Sequence, residues 1–550
     1  MSDQVVRVLL NGTAKTALPT SRSPRPDERG VVDVYLRRRA PLADVTSYGR
    51  TRPFLSRAEF ARLHGARAED VLGVRDFASA YGLDVVSVDE TARRVRLSGS
   101  WDALGKAFGT SVVAAEVDGK TIHRNVTDIS LPASLAPAID AVMGLDTTPW
   151  IPPHGTFSSG SNTLTVADVV AQYQFPTTTP SGAACDGAGE TVTLLQFDAT
   201  FDIVSFQTYF QFQGLPAPAC SVRTDLLTSM PSGGGNGEAM LDAHMVGLAA
   251  PGAKIVLWLS NSFSAAQTML AAITAATHDA TEPATVLSMS YGGWFGWSSM
   301  EMGQIDSAYQ DAAARGITCC NSSGDTGAGS PPQSPADCRH VLAVGGTVIE
   351  ASGAEVVWNN PARGTGGMAS CGGYSSFFAA PSWQTSALPA GSANRGVPDV
   401  SAHADGYDVG FGTSAASPLW ASLFARVNQT RVEQGKGRLG LVAPDLYANP
   451  SAINDITVGN NGLGTATGYS ATVGWDAATG LGSPNAATVL ALLQAAGAPE
   501  WQPWFLVNNA VKMQAGATVT ALWRSNDTHL DLFATGDDGA VWSTWWEAAV

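Results

Sequence analysis

Ser414, in the run GTSAASP from Gly412 to Pro418, is placed for nucleophilic chemistry. It follows a Gly-Thr turn and opens an apolar stretch, PLWASLFARV, that reads as a helix. A hydroxyl at such a junction is exposed beside backbone N–H groups, which suits a nucleophile and equally a plain N-cap serine. Glu238 and Asp242 stand four residues apart in GNGEAMLDAHMV, so a helix would put them on one face. Like charges at that spacing repel, which leaves a solvated face or a functional dyad as the two readings. Asp325, in NSSGDTGAG, follows the predicted strand ITCC within a glycine-rich loop, where an ordinary turn aspartate would also sit.

The elements that must position these residues alternate between apolar strands and Ala-rich helices. They run TVTLLQF, GEAMLDAHMVGLAA, KIVLWLS, AAQTMLAAITAATHD, TVLSMSYG, MGQIDSAYQDAAARG, ITCCNSSGD and HVLAVGGT. That order predicts an α/β domain over 164–495, with a largely parallel sheet covered by helices on both faces and ligands at the carboxyl ends of its strands. Ahead of it, 1–30 ends in the Pro/Arg-rich TSRSPRPDERG and reads as a flexible leader. Residues 31–150 read as strand, two helices, hairpin and helix, an α+β domain of ferredoxin-like type. Ser56 is its predicted helix N-cap and Gly82 a helix stop. Residues 151–163, rich in Pro, Gly and Ser, read as a linker open to proteolysis, and 496–550 as a Trp-rich β segment.

The 550 residues suffice for several domains, and 45% are hydrophobic, with no run approaching a membrane span. Only 15% are charged and the net charge is −16, which argues against nucleic acid as a partner. The asymmetry is large: residues 1–150 carry a net +2 and residues 151–550 a net −18. The two parts should attract at neutral pH and separate as carboxylates protonate. The six cysteines, Cys185, Cys220, Cys319, Cys320, Cys338 and Cys371, lack metal-ligand spacing and are either disulfides or buried thiols. Composition suggests a secreted protein, yet MSDQVVRVLLNGTAK has no recognisable signal peptide.

Together the three segments resemble the sedolisin family of serine-carboxyl peptidases, most closely its kumamolisin-like members. That signature combines a Glu-x-x-x-Asp helix, an Asp in a Ser-Gly-Asp-type loop and a Ser in Gly-Thr-Ser. Here these are Glu238/Asp242, Asp325 and Ser414, in the same order. The likeness covers about residues 31–495, including HRN at His123 to Asn125 and LPASLAPAIDAVMGLD in the N-terminal domain. It implies a subtilisin-like sheet behind an inhibitory activation prodomain, and a monomeric zymogen that hydrolyses peptides through an acyl-enzyme. Glu238 would be the base, able to accept the serine proton where a histidine of pKa ~6.5 is already protonated. Asp242 would orient it and share its proton, and Asp325 would donate to the oxyanion as a neutral acid. Gln196 stands where many members carry a third carboxyl group.

The resemblance also implies one calcium ion, held by Asp455 and Ile456 in NDITVGNNG and by Thr472, Gly474 and Asp476 in TVGWDAATGLGSPN. Two other readings compete. A subtilisin-type Ser-His-Asp peptidase would need His154 or His244, but His154 lies in the linker and His244 is two residues from Asp242, on another helix face. A carbohydrate-binding protein on an inert scaffold would use the tail, which resembles one blade of a β-propeller lectin.

Overall fold

The computed structural model describes residues 6–50, 52–117, 119–148, 155–156, 164–261, 265–293, 296–328, 332–363 and 366–495. It also describes the backbone of four strands beyond residue 500. The Thr191–Phe197 strand is the centre of the large sheet, with Lys254–Ser260 on one side and Val286–Met289 on the other, both parallel to it. Cys220–Leu226 extends the first side, and Thr318–Ser322 and then Leu342–Ile349 the second, all parallel. Such strands read as near-continuous apolar runs because both faces are covered. Chain order reverses at Thr191–Phe197, so a crevice opens at its carboxyl end, where open α/β sheets bind ligands. Helices Asn236–Ala249 and Thr413–Glu433 pack together on one face, and Ala265–His278 and Ser299–Ala314 on the other. Among the described residues no helix is long and apolar enough to cross a membrane.

The N-terminal domain is an antiparallel four-stranded sheet in the order Asp84–Asp89, Arg94–Ser100, Arg29–Leu36, Ile139–Met143. Helix Arg57–His64 starts at Ser56 with a capping box to Glu59, and Gly82 takes a φ of +67° just past the Ala68–Ala80 helix. One face of the sheet buries its own core with Val74, Phe77, Trp101 and Leu104. On the other, Tyr35, Ala141 and Met143 join the core of the large α/β domain that contains Met269, Ile273 and Met302.

The flexible leader expected over 1–30 is instead part of this N-terminal domain from residue 6 onward. Arg7–Leu10 pairs antiparallel with Ile129–Pro132, and Arg22 bridges to Ala114. The Arg7 guanidinium explains the order: it donates to the carbonyls of Ala107 (2.5 Å) and Ser130 (2.6 Å) and to the Tyr81 hydroxyl (3.0 Å). Its charge therefore satisfies groups that a local reading of the sequence does not bring together. All six cysteines are free thiols, buried except for the half-buried Cys220.

Candidate active site

The Asn236–Ala249 helix has no solvated face at the dyad, since Glu238 is 1% and Asp242 0% exposed. The sequence that folds this way is Ala-, Met- and Leu-rich around the two acids, so the helix is buried all round. Glu238 lies in its first turn, where the helix dipole favours an anion. Asp242 is satisfied by neutral donors: Gln196 Nε2 donates to its Oδ2 and Ser290 Oγ to its Oδ1, each at 2.7 Å. Tyr291 in turn donates its hydroxyl to Gln196 Oε1 at 2.9 Å.

Ser414 is the second residue of the Thr413–Glu433 helix and is fully buried. Its approach turns on Gly412 at φ +104°, a conformation an L side chain resists. Asp325 follows Gly324, also left-handed at φ +112°, where an added Cβ would meet Gln333 Oε1 at 2.1 Å. Thr413 then fixes the carboxyl: its N–H (2.9 Å) and hydroxyl (2.8 Å) both donate to Asp325 Oδ1. The Gly324 N–H donates back to that hydroxyl at 3.1 Å. Asp325 Oδ2, both oxygens of Glu238 and Ser414 Oγ are left buried with no hydrogen bond of normal geometry. Ser414 is nonetheless near enough to Glu238 to favour its charged form.

Burial is the dominant influence on all three acids. It raises Glu238 well above the ordinary range, and Asp242 beside it adds to the rise. Asp242 is raised too, the donors from Ser290 and Gln196 pulling back against burial. Asp325 is pushed up to about 7 by burial, against the two bonds from Thr413. A neutral acid with one oxygen pinned and the other free is a hydrogen-bond donor aimed at one place.

The structure therefore brings Glu238, Asp242, Asp325 and Ser414 to one site. Thr413, Ser290 and Tyr291 were not singled out by sequence; the only signal was their place in GTSA and SMSYG, adjacent to the carboxyl ends of strands. His244 is not part of the site. Its ring packs 4.2 Å from that of Tyr209 and 5.4 Å from Phe206, and burial lowers it to about 4. His154 lies outside the described residues. The linker's Gly155–Thr156 pairs antiparallel with Phe411–Gly412, immediately upstream of Ser414.

The second predicted cluster is also assembled from its two halves. Gly474 N–H donates to Asp455 Oδ2 (2.8 Å) and Thr472 N–H to Asp476 Oδ2 (2.9 Å). Ile456 is buried next to Asp455, and burial raises Asp476. Among the described residues no group of three or more His, Cys, Asp and Glu side chains could hold a metal. Any ion here would depend on two carboxylates plus backbone carbonyls, a hard-oxygen set that fits Ca²⁺.

Comparison with known proteins agrees with this geometry. Residues 42–148 match the pro-kumamolisin activation domain and residues 232–438 the subtilase family. Kumamolisin from Bacillus sp. (strain MN-32) is 37% identical over 511 residues, covering 84% of this chain and 88% of that one. Sedolisin from Pseudomonas sp. (strain 101) is 29% identical over 495 residues, covering 81% and 82%. The solved structure of Pseudomonas sedolisin, a serine-carboxyl proteinase complexed with pseudo-iodotyrostatin, superposes with a TM-score of 0.51 at 27% identity, over 60% of this chain and 98% of that one. With a curated relative this similar along nearly its whole length, the chain belongs to the sedolisin family of serine-carboxyl peptidases, as a zymogen that carries its activation domain.

Proposed function

We propose that this zymogen becomes an acid-acting endopeptidase whose chemistry is carried by Ser414, Glu238, Asp242 and Asp325. In the activated enzyme, where water enters the cleft and relieves the burial that raises it, Glu238 is ionised; Ser414 Oγ attacks the scissile carbonyl while Glu238 takes its proton, and Asp242 supports the newly protonated acid. Asp325, protonated, donates through Oδ2 to the oxyanion. Collapse of the tetrahedral intermediate expels the amine, which takes the proton from Glu238. Water then repeats the sequence on the acyl-enzyme and frees Ser414. The observation that carries the reading is the burial of three acids around one serine with Asp325 Oδ2 unbonded. The test is casein digestion at pH 3.5 and 7.5. Ser414→Ala and Glu238→Gln should each abolish the acid activity, and residual hydrolysis within tenfold of wild type would overturn the assignment.

Activation is proposed to follow acidification. Among the described residues, Lys15–Glu301, Arg38–Asp311, Arg93–Asp311 and Arg50–Asp445 are the ion pairs that cross between prodomain and catalytic domain. Each puts the cation on the prodomain, in keeping with the charge asymmetry of the sequence. Acid strong enough to protonate Asp311, which its two guanidinium partners hold low, breaks two of these four pairs, and the linker beside Ser414 is then cut. Calcium at Asp455, Ile456, Thr472, Gly474 and Asp476 would stabilise the mature domain by binding only its folded form. Secretion is proposed on the low charged fraction. Carbohydrate binding by the tail is proposed on the single antiparallel sheet formed by Phe505–Leu506, Thr520–Arg524, His529–Thr535 and Val541–Glu547.

A further inference from the structure

Gln196 cannot titrate, yet it is fully buried against one of the two acids that must exchange a proton. An amide in this place has two orientations, with opposite consequences for Asp242. With the NH₂ toward Oδ2, that oxygen must accept; with the carbonyl toward it, Asp242 must carry a proton there. Tyr291 decides between them. Its hydroxyl lies 2.9 Å from Gln196 Oε1 and donates to it, which places the carbonyl end of the amide on Tyr291. The NH₂ is then committed to Asp242 Oδ2.

We propose that Gln196, its amide fixed by Tyr291, is a positioning residue that holds Asp242 Oδ2 as a permanent acceptor and lets the dyad release its first proton at lower pH. Unlike a carboxyl group, the amide donates at every pH and adds no charge when the solution becomes less acidic. Asp242 is less raised than burial alone would make it, and Gln196 is one of the groups responsible. The other titratable groups around this position are Glu238 on the same helix, Tyr291 after the Val286–Met289 strand, Asp198 two residues along from Gln196, and Asp325 across the site. The neighbouring Lys254–Ser260 strand presents Leu259 in register with Gln196, and the Ser414 helix presents Ser414 and Ser417.

The inference rests on the serine-carboxyl reading of the site, and it is tested by the pH profile of kcat/KM on casein for the activated full-length chain. A hydrogen bond to an ionised group is worth about one to two pH units on its titration. Gln196→Met should therefore move the acid limb upward by about that much. Gln196→Glu should move it the same way, because its ionised form repels the second negative charge. Tyr291→Phe, which frees the amide to turn over, should give an upward shift of about half a unit or more. A role in packing alone would lower kcat by one factor at all pH values and leave the limb in place, and that result overturns the proposal. If Gln196→Met fails to fold, Tyr291→Phe removes a single oxygen and decides the matter alone. An inactive wild type between pH 3 and 7 would remove the reading of the whole site together with this positioning role, whereas an active wild type whose variants leave the limbs unmoved removes only the positioning role.

Discussion

Replacing Asp311 by Asn should unfasten the prodomain. Asp311 projects from the Ser299–Ala314 helix with its side chain 5% exposed and receives two guanidinium groups from the other domain. Arg93 Nη1 lies 2.9 Å from Oδ2 with its side chain 2% exposed, and Arg38 Nη2 lies 2.5 Å from Oδ1 with its side chain 15% exposed. Arg38 also donates to the Ser307 carbonyl and hydroxyl, so its fork is held on the same helix. Burial alone would raise the Asp311 carboxyl, but Arg93 and Arg38 outweigh it and the group is lowered. A carboxyl lowered in the complex strengthens the complex above its ordinary range and releases that contribution as pH falls through the lowered value. Asparagine leaves two buried cations without their anion, a loss of roughly 3–5 kcal/mol, or about two to four powers of ten in the dissociation constant. The assay is binding of the separate 1–150 segment to mature enzyme from pH 2 to 7, a range that reaches below the ordinary carboxylate value of about 4. Wild type should be bound most weakly in acid, and Asp311→Asn should be weakened at pH 7 with a shallower pH dependence. Less than tenfold weakening, or an unchanged slope, would show that shape complementarity and not charge holds the zymogen closed.

Asp325→Ala should lower kcat by about 10²–10³, because it removes the donor to the oxyanion. Asp325→Asn keeps a donor at Oδ2 that does not titrate, so its alkaline limb near pH 7 should flatten in the same kinetic assay. Stability should peak in mild acid. Glu238, Asp242, Asp325 and Asp337 are raised in the folded chain, so they favour folding below the ordinary carboxylate range and progressively less up to about pH 7. Asp306, held down to about 2 by His340 and Arg339 against burial, acts in the opposite sense and loses its contribution only in strong acid. Melting of the Ser414→Ala zymogen, which cannot digest itself, should be highest near pH 4–5 and lower at pH 8; a flat profile would contradict this. EDTA or Asp455→Ala should lower the melting temperature of the mature domain, and unchanged melting in EDTA at pH 5 would remove the calcium proposal.

The pairing of Glu238 with Asp242 was readable in the sequence because helical spacing is a local property: residues four apart share a face wherever the helix goes. The same holds for Ser56, Gly82 and the alternation of strands and helices, each set by backbone geometry over a few neighbouring residues. The tertiary structure decided what those faces meet. Sequence left the dyad open between solvent and function, and burial of Glu238 and Asp242 removes the solvated-face reading. Arg7 lies more than a hundred residues from Ser130, and no periodicity announces that a charged residue in a Pro-rich leader will anchor a strand. Thr413 was visible only as a letter in Gly-Thr-Ser until its two donors were found on Asp325. Gln196 appeared as a departure from the family pattern, and only the Tyr291 hydroxyl shows which way its amide must face. In each case local geometry follows from adjacent residues, whereas protonation and hydrogen-bond direction depend on groups that folding brings in from distant parts of the chain.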